Sequence, residues 1–368
     1  MKKKLFTSPV LLLSLLFIFA EFPVAKAQIM NEEIVGKISG MMYEYLKSDE
    51  FSGVVLISEN GKIVFNNAYG YADRETKIAV TAGTGFRLAS VTKLFTLVSI
   101  MQLYDEGKIG MDDTLGKFLA GFSPDISKKV TIRHLLTMSS GLGDYRQDKE
   151  YEKNPLAYSS VNDYLKVIRK EKLEFEPGSK FRYSNSGFVV LGAIIEKVSG
   201  KNYYQYVKER IFQSSGMSQS YFPKPAPDGN QALPYRKNDA GKYERVKELY
   251  PASPSSNAVS TSGDLLKFLT KACTTNELMS DKAKALFFSQ YDGNFTGDWE
   301  TLKKTTRKDF GWVGGLPGES TLAMYKISNN LAFIILSNFS DVSPDVLDNI
   351  ISILRTGSYK ELRPGSSK

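Results

Sequence analysis

A chain of 368 residues, 42% hydrophobic and 24% charged, can bury a sizeable core and by length holds two domains or one large domain with an insertion. One cysteine, Cys273, and one histidine, His134, exclude an intramolecular disulfide, a cysteine-based zinc site and a histidine-rich metal centre. The formal charge of +8 is spread over Lys and Arg scattered among acids, which argues against nucleic acid as a partner.

Residues 1–27 read as a cleavable secretory signal: MKKK, an apolar run from Val10 to Ala20, then Ala25-Lys26-Ala27 before Gln28. The expected location is periplasmic or secreted, with the cut after Ala27. The run is too short to span a bilayer and no cysteine lies near the cut, so no stable membrane anchor is expected. Cleavage removes Lys2, Lys3, Lys4, Lys26 and Glu21, taking the charge from +8 to +5. The expected domain then covers 28–355, with a helical subregion at about 107–250 and a polar tail at 356–368.

Apolar residues at 34, 35, 38, 41, 42, 45 and 46 predict a helix over 31–47, opened by Asn31 as cap and lying on a sheet. Residues 54–58 and 63–69 flank Asn60-Gly61, a dipeptide suited to a two-residue hairpin turn. In the helix expected from Ser90 to near Gly107, apolar residues at 94, 95, 97, 98, 100, 101, 103 and 104 cover nearly the whole circumference, predicting burial through the middle of a domain. Residues 131–137 begin a short helix, and 186–199 form a second buried helix closed by Gly200. Residues 220–256, rich in Pro, Gly, Asn and Lys, lack any sustained period and read as long surface loop. Strand pattern returns at 322–327 and 331–336 around Ser328-Asn329-Asn330, followed by a closing helix over 346–354. Strands at both ends with helices between them predict an α+β fold: one antiparallel sheet built from the two ends, flanked by helices, with a helical region inserted.

Three stretches carry chemistry. Ser90 and Lys93, spaced i and i+3 at the head of the buried helix, lie on one face, so the amine can reach the hydroxyl. Tyr183-Ser184-Asn185 presents a phenol and an amide from a loop before the second buried helix. Gly311-Trp312-Val313-Gly314-Gly315 precedes the last hairpin, where glycines let a backbone edge approach a ligand. Alone, Ser90 and Lys93 would be a helix cap and a solvated charge, and Tyr183 a core-edge aromatic; the ordered set reverses that weighting. His134, on a short apolar helix, reads as a packed, hydrogen-bonded side chain rather than a triad member. Residues 83–93 lack the Gly-Lys-Ser/Thr of a phosphate loop.

Ser90-Val91-Thr92-Lys93, Tyr183-Ser184-Asn185 and the Gly-rich strand before a terminal hairpin resemble the serine β-lactamase and D,D-peptidase superfamily, in its class C β-lactamase-related branch. TIRHLLTMSSGL (131–142), PGSKFRYSNSGFVVLGAIIEKVSGK (177–201) and AVSTSGDLLKFL (258–269) are similar to stretches of that branch, and the resemblance covers about residues 35–355. It implies a β-lactamase/transpeptidase-like fold and an acyl-enzyme on Ser90. Lys93 would take or relay its proton, Tyr183 would act as partner base and leaving-group acid, and Asn185 would orient Lys93 and a substrate amide. The backbone N–H groups of Ser90 and Gly315 would form the oxyanion hole, with Trp312 and Gly314 lining the substrate.

Two positions depart from the pattern. Trp312-Val313-Gly314 stands where Lys-Thr/Ser-Gly or His-X-Gly is usual, so the cation and hydroxyl that would receive a substrate carboxylate are missing. Met138 replaces a histidine often found in its block. The expectation is an ester or amide hydrolase needing no cofactor or metal, acting on a small ester or a cell-wall-related D-amino-acid peptide and favouring neutral esters. A weak β-lactamase or D,D-carboxypeptidase is the second enzymatic reading, and a non-catalytic module capturing peptidoglycan fragments the alternative of another class. The oligomeric state is left open.

Overall fold

The computed structural model describes residues 29–224, 230–247, 250–292 and 309–360. The signal reading at 1–27 therefore lies outside the described residues, as does most of the tail. Helix α1 (Glu32–Lys47) is capped by Asn31, whose side chain accepts from the Ile34 N–H at 2.9 Å. It leads into β1 (Gly53–Glu59) and β2 (Lys62–Tyr69), joined by a turn in which Asn60 and Gly61 both have positive φ, at 51° and 77°. That pair of conformations matches the twist of the flanking strands.

The chain then enters helix α2 (Lys93–Asp105), in which every residue from Lys93 to Leu103 is buried. Helix α3 (Asn185–Ser199) ends at Gly200, in the left-handed conformation at φ 71°. Helix α4 (Ser262–Thr274), strands β3 (Asp309–Leu316), β4 (Glu319–Lys326) and β5 (Leu331–Ser337), and helix α5 (Ser343–Thr356) complete the frame.

The five strands form one antiparallel sheet in the order β2-β1-β5-β4-β3, so the two ends of the chain meet where β1 pairs β5, with Val55 opposite Ile335. Both faces are covered. Val54 and Leu56 join Ala323, Ile334 and Leu336 in the core shared with α2 and α3. Their neighbours Val55 and Ile57 point the other way, packing with Phe333 and Ile335 against Ile38, Met41 and Met42 of α1 and Val346, Leu347 and Ile350 of α5. Burial on both faces explains why β1 and β5 read as continuous apolar runs rather than alternating ones.

Two expectations need correction. The first turn of the helix that was expected to start at Ser90 is a tighter 3-10 turn, Ala89–Thr92, and the α-helix starts only at Lys93. The stretch expected as surface loop folds back into the protein at its end, where Ser253, Ser255, Ser256 and Asn257 are buried. Gly192 of α3 makes room for it: a Cβ there would lie 2.3 Å from Pro254 Cγ. A stretch whose polar side chains and backbone are satisfied internally carries no hydrophobic period to betray its burial.

Candidate active site

The Ala89–Thr92 turn is clamped from two sides. Phe86 and Arg87 pair with Ser260 and Val259, Asn257 N donates to Ala89 O at 3.1 Å, and Ala258 N donates to Thr92 Oγ1 at 3.0 Å. From the sheet, Thr321 Oγ1 of β4 donates to Leu88 O at 2.8 Å. Strand β3 passes so close that a Cβ on Gly314 would lie 2.4 Å from Leu88 O and 2.9 Å from Ser90 N, which only glycine permits. Ala89 adopts φ 43°, a conformation costly for a side-chain-bearing residue, immediately before Ser90.

Ser90 Oγ lies 2.7 Å from Tyr183 Oη and 3.2 Å from Lys93 Nζ. The Tyr-Ser-Asn spacing has a local cause. Ser184 is the cap of α3, accepting from Gly187 N at 3.0 Å and donating to Gly143 O at 2.6 Å, which leaves Tyr183 before the helix and Asn185 at its first residue. Lys93 Nζ donates to Asn185 Oδ1 at 2.8 Å and to Ser255 O at 2.7 Å. The Asn185 amide is oriented by Asp144, whose Oδ2 accepts from Asn185 Nδ2 at 2.7 Å. The four side chains singled out from sequence, Ser90, Lys93, Tyr183 and Asn185, thus come together, and Asp144 and Ser255 join them unforeseen.

Burial holds the Lys93 amine well below its usual range; the Arg146 guanidinium pushes the same way and Asp144 opposes. Burial also raises the Tyr183 phenol to about 12, although its hydrogen bond with Ser90 and the charge of Arg146 pull it down. At neutral pH the Tyr183 phenol is uncharged, and burial favours the uncharged form of Lys93. Neutral Lys93 has two N–H groups and one lone pair. Asn185 Oδ1 and Ser255 O are acceptors only and take both hydrogens, which leaves the lone pair for the Ser90 hydroxyl.

Trp312, opposite Ala323 on β3, packs edge-on against Phe188 at 5.5 Å between centroids. Its indole N–H is buried and makes no hydrogen bond, though it faces Tyr183 closely enough to help lower that phenol. Gly315 lies opposite Ser320 on the same edge. His134 stands apart from these groups: its Nδ1 accepts from Thr131 N at 3.3 Å in a capping box. Among the described residues no cluster of three His, Cys, Asp or Glu side chains suits a metal, and no helix is long and apolar enough to cross a membrane. A cavity of about 530 Å³ lined by Asn60, Thr270, Cys273 and Tyr325 shares no lining residue with the site.

A sheet built from both chain ends, with a serine, a lysine and a tyrosine converging beside its edge strand, defines the serine-hydrolase class of the β-lactamase and penicillin-binding-protein fold. The Beta-lactamase family model matches residues 38–357, and the chain belongs to that family. It is 30% identical over 321 residues to penicillin-binding protein 4* of Bacillus subtilis, covering 78% of this chain and 68% of that one. A penicillin-binding protein from Bacillus halodurans superposes with a TM-score of 0.75 at 25% identity, over 88% of this chain and 99% of the other. EstCE1, a hydrolase with promiscuous acyltransferase activity, shares the fold at a TM-score of 0.70 and 24% identity, over 88% and 99%.

Proposed function

We propose that the chain is an exported serine hydrolase that forms an acyl-enzyme on Ser90 and cleaves an ester or amide in a small or cell-wall-derived substrate. One observation carries the reading: Ser90 Oγ sits between Tyr183 Oη and Lys93 Nζ, and the other two contacts of Lys93 are acceptors only. Ser90 Oγ attacks the carbonyl carbon and its proton passes to the lone pair of Lys93. The developing oxyanion is received by the backbone N–H groups of Ser90 and Gly315. As the bond to the leaving group breaks, Tyr183 protonates the departing atom and regains a proton from Lys93, so no net charge remains. Water then repeats the sequence on the acyl carbon and frees Ser90.

Trp312 favours neutral esters, because a carboxylate placed at the β3 edge meets an indole rather than a cation, and an unpaired anion is costly to bury. A penicillin or D-alanyl peptide reading draws support from the name of the B. subtilis relative, and the missing third-motif cation opposes it. The test is incubation with a fluorophosphonate followed by peptide mapping. A single adduct on the peptide containing Ser90, absent in Ser90→Ala, is expected; unchanged labelling in Ser90→Ala refutes the mechanism. Export would appear as a mature N-terminus at Gln28 in material recovered outside the cytoplasm.

A further inference from the structure

Arg146 is a cation of this neighbourhood that the proposed chemistry leaves unused and that, unlike Arg87, has no ion pair among the described residues. It lies on the 3-10 turn Tyr145–Gln147, directly after the block at 131–142. The segment carrying it is fixed to the site at several points. Gly143 N donates to Glu171 Oε2 at 2.9 Å, Tyr145 N donates to Ser186 Oγ at 2.8 Å, and Tyr145 Oη lies 3.2 Å from Ser255 Oγ. Asp144, one residue before it, holds Asn185.

The Arg146 side chain is half-buried and its Nε is buried with no hydrogen-bond partner. It forms no ion pair with any described carboxylate. Two carboxylates that feel its charge are committed elsewhere: Asp144 accepts from Asn185 Nδ2 and from the Arg146 backbone N–H, and Glu319 pairs with Arg87 at 2.9 Å. A guanidinium stays charged at any working pH, and a buried donor without a partner calls for an explanation. The segment that carries it meets the site through Asp144 on Asn185 and Tyr145 on Ser255, and its charge acts on Lys93 and Tyr183 as well as on Tyr145 and Tyr151 beside it.

We propose that Arg146 is a specificity-determining residue that receives an anionic group of the substrate, a carboxylate, from the helical side of the site opposite the Trp312 edge. This rests on the hydrolase reading above and names the charge of the substrate it favours. A fork of N–H donors suits a carboxylate bidentately, and one charge-assisted contact is worth roughly 10- to 100-fold in affinity or kcat/KM. The carboxylate is thus welcome only when carried on the part of the substrate that faces this wall.

The test compares p-nitrophenyl hydrogen adipate with p-nitrophenyl hexanoate, which differ by a terminal carboxylate on the acyl group. The ratio of their kcat/KM values should fall about 10- to 100-fold in Arg146→Gln, recover in part in Arg146→Lys, and fall further in Arg146→Glu. Taking the ratio cancels any change common to both esters, including altered folding or a shifted Lys93. Binding to Ser90→Ala protein supplies a readout without turnover: the adipate ester should lose about tenfold or more in affinity relative to the hexanoate when Arg146 is also replaced by Gln. A ratio unmoved in both measurements overturns the role of Arg146 while leaving Ser90 acylation intact. Wild-type protein that hydrolyses neither ester counts against the hydrolase reading, and the binding ratio then still decides the role of Arg146.

Discussion

On the helical side of Ser90, polar side chains crowd together and position one another: Asp144 orients Asn185, Asn185 and Ser255 take the hydrogens of Lys93, and Tyr183 meets Ser90. On the sheet side, β3 brings glycine backbone and one indole, with no cation or hydroxyl at Trp312-Val313-Gly314. The difference shows a division of labour. The sheet edge supplies rigid backbone at close range, which needs the absence of side chains, while the proton handling proposed for Lys93 and Tyr183 draws on the buried hydrogen-bond network of the helical side.

Disabling the helical wall at its centre should have the largest effect. Lys93→Met removes the base while filling a similar volume, and the rate of Ser90 acylation should drop by about 100- to 10,000-fold in stopped-flow assays with an aryl ester. Lys93→Arg should not restore it, because a guanidinium offers no lone pair. A Lys93→Met protein within threefold of wild type would place the base elsewhere.

The sheet wall is probed by Gly314→Ala. The added Cβ meets Leu88 O, Thr321 Oγ1 and Ser90 N at 2.4 to 2.9 Å, so β3 must move away from the nucleophile. A loss of about 100- to 1,000-fold in kcat is expected if a backbone donor of this strand serves the oxyanion. Gly263→Ala, whose Cβ would meet nothing within 4 Å, is the matched control for a glycine replacement and should retain activity.

How much of this comparison could be read from sequence follows the same division. The cap at Asn31, the Asn60-Gly61 turn, the Gly200 stop and the all-round apolar helix after Lys93 are local signals, and the structure keeps each of them. Ser90 and Lys93 were legible because they sit three residues apart, and Tyr183 and Asn185 because they belong to a motif with flanking blocks. Ser255 was not, since its contribution is a backbone carbonyl, which any residue carries, delivered from a stretch without periodicity. Asp144 and Arg146 follow directly after a recognisable block, and that adjacency was the available signal. The Asn185 amide that Asp144 orients, however, lies 41 residues away in sequence, and only the fold brings the two together.

Smaller effects sharpen the contrast between the walls. Trp312→Lys puts a cation on the sheet edge, and the kcat/KM of a penicillin or a D-alanyl-D-alanine peptide should rise relative to a neutral ester by roughly 10- to 100-fold. Wild-type protein that already hydrolyses such a β-lactam as well as it does neutral esters would show that the edge is not the barrier. Asp144→Ala releases the Asn185 amide to rotate, and a loss of about tenfold in kcat with little change in KM is expected from steady-state kinetics.

The claim on which the rest depends is that Ser90 lies between a neutral amine and a neutral phenol, and the pH dependence of the single-turnover acylation rate, followed by intact mass, tests it most directly. Because burial lowers the Lys93 pKa, the amine loses its charge as pH rises through a value well below the ordinary 10.5. Acylation should therefore rise with pH to a plateau reached well below pH 10.5. It should change again only where Tyr183 ionises, near about 12. A rate that keeps climbing until pH 10.5, or a plateau unchanged in Lys93→Met, would contradict the account.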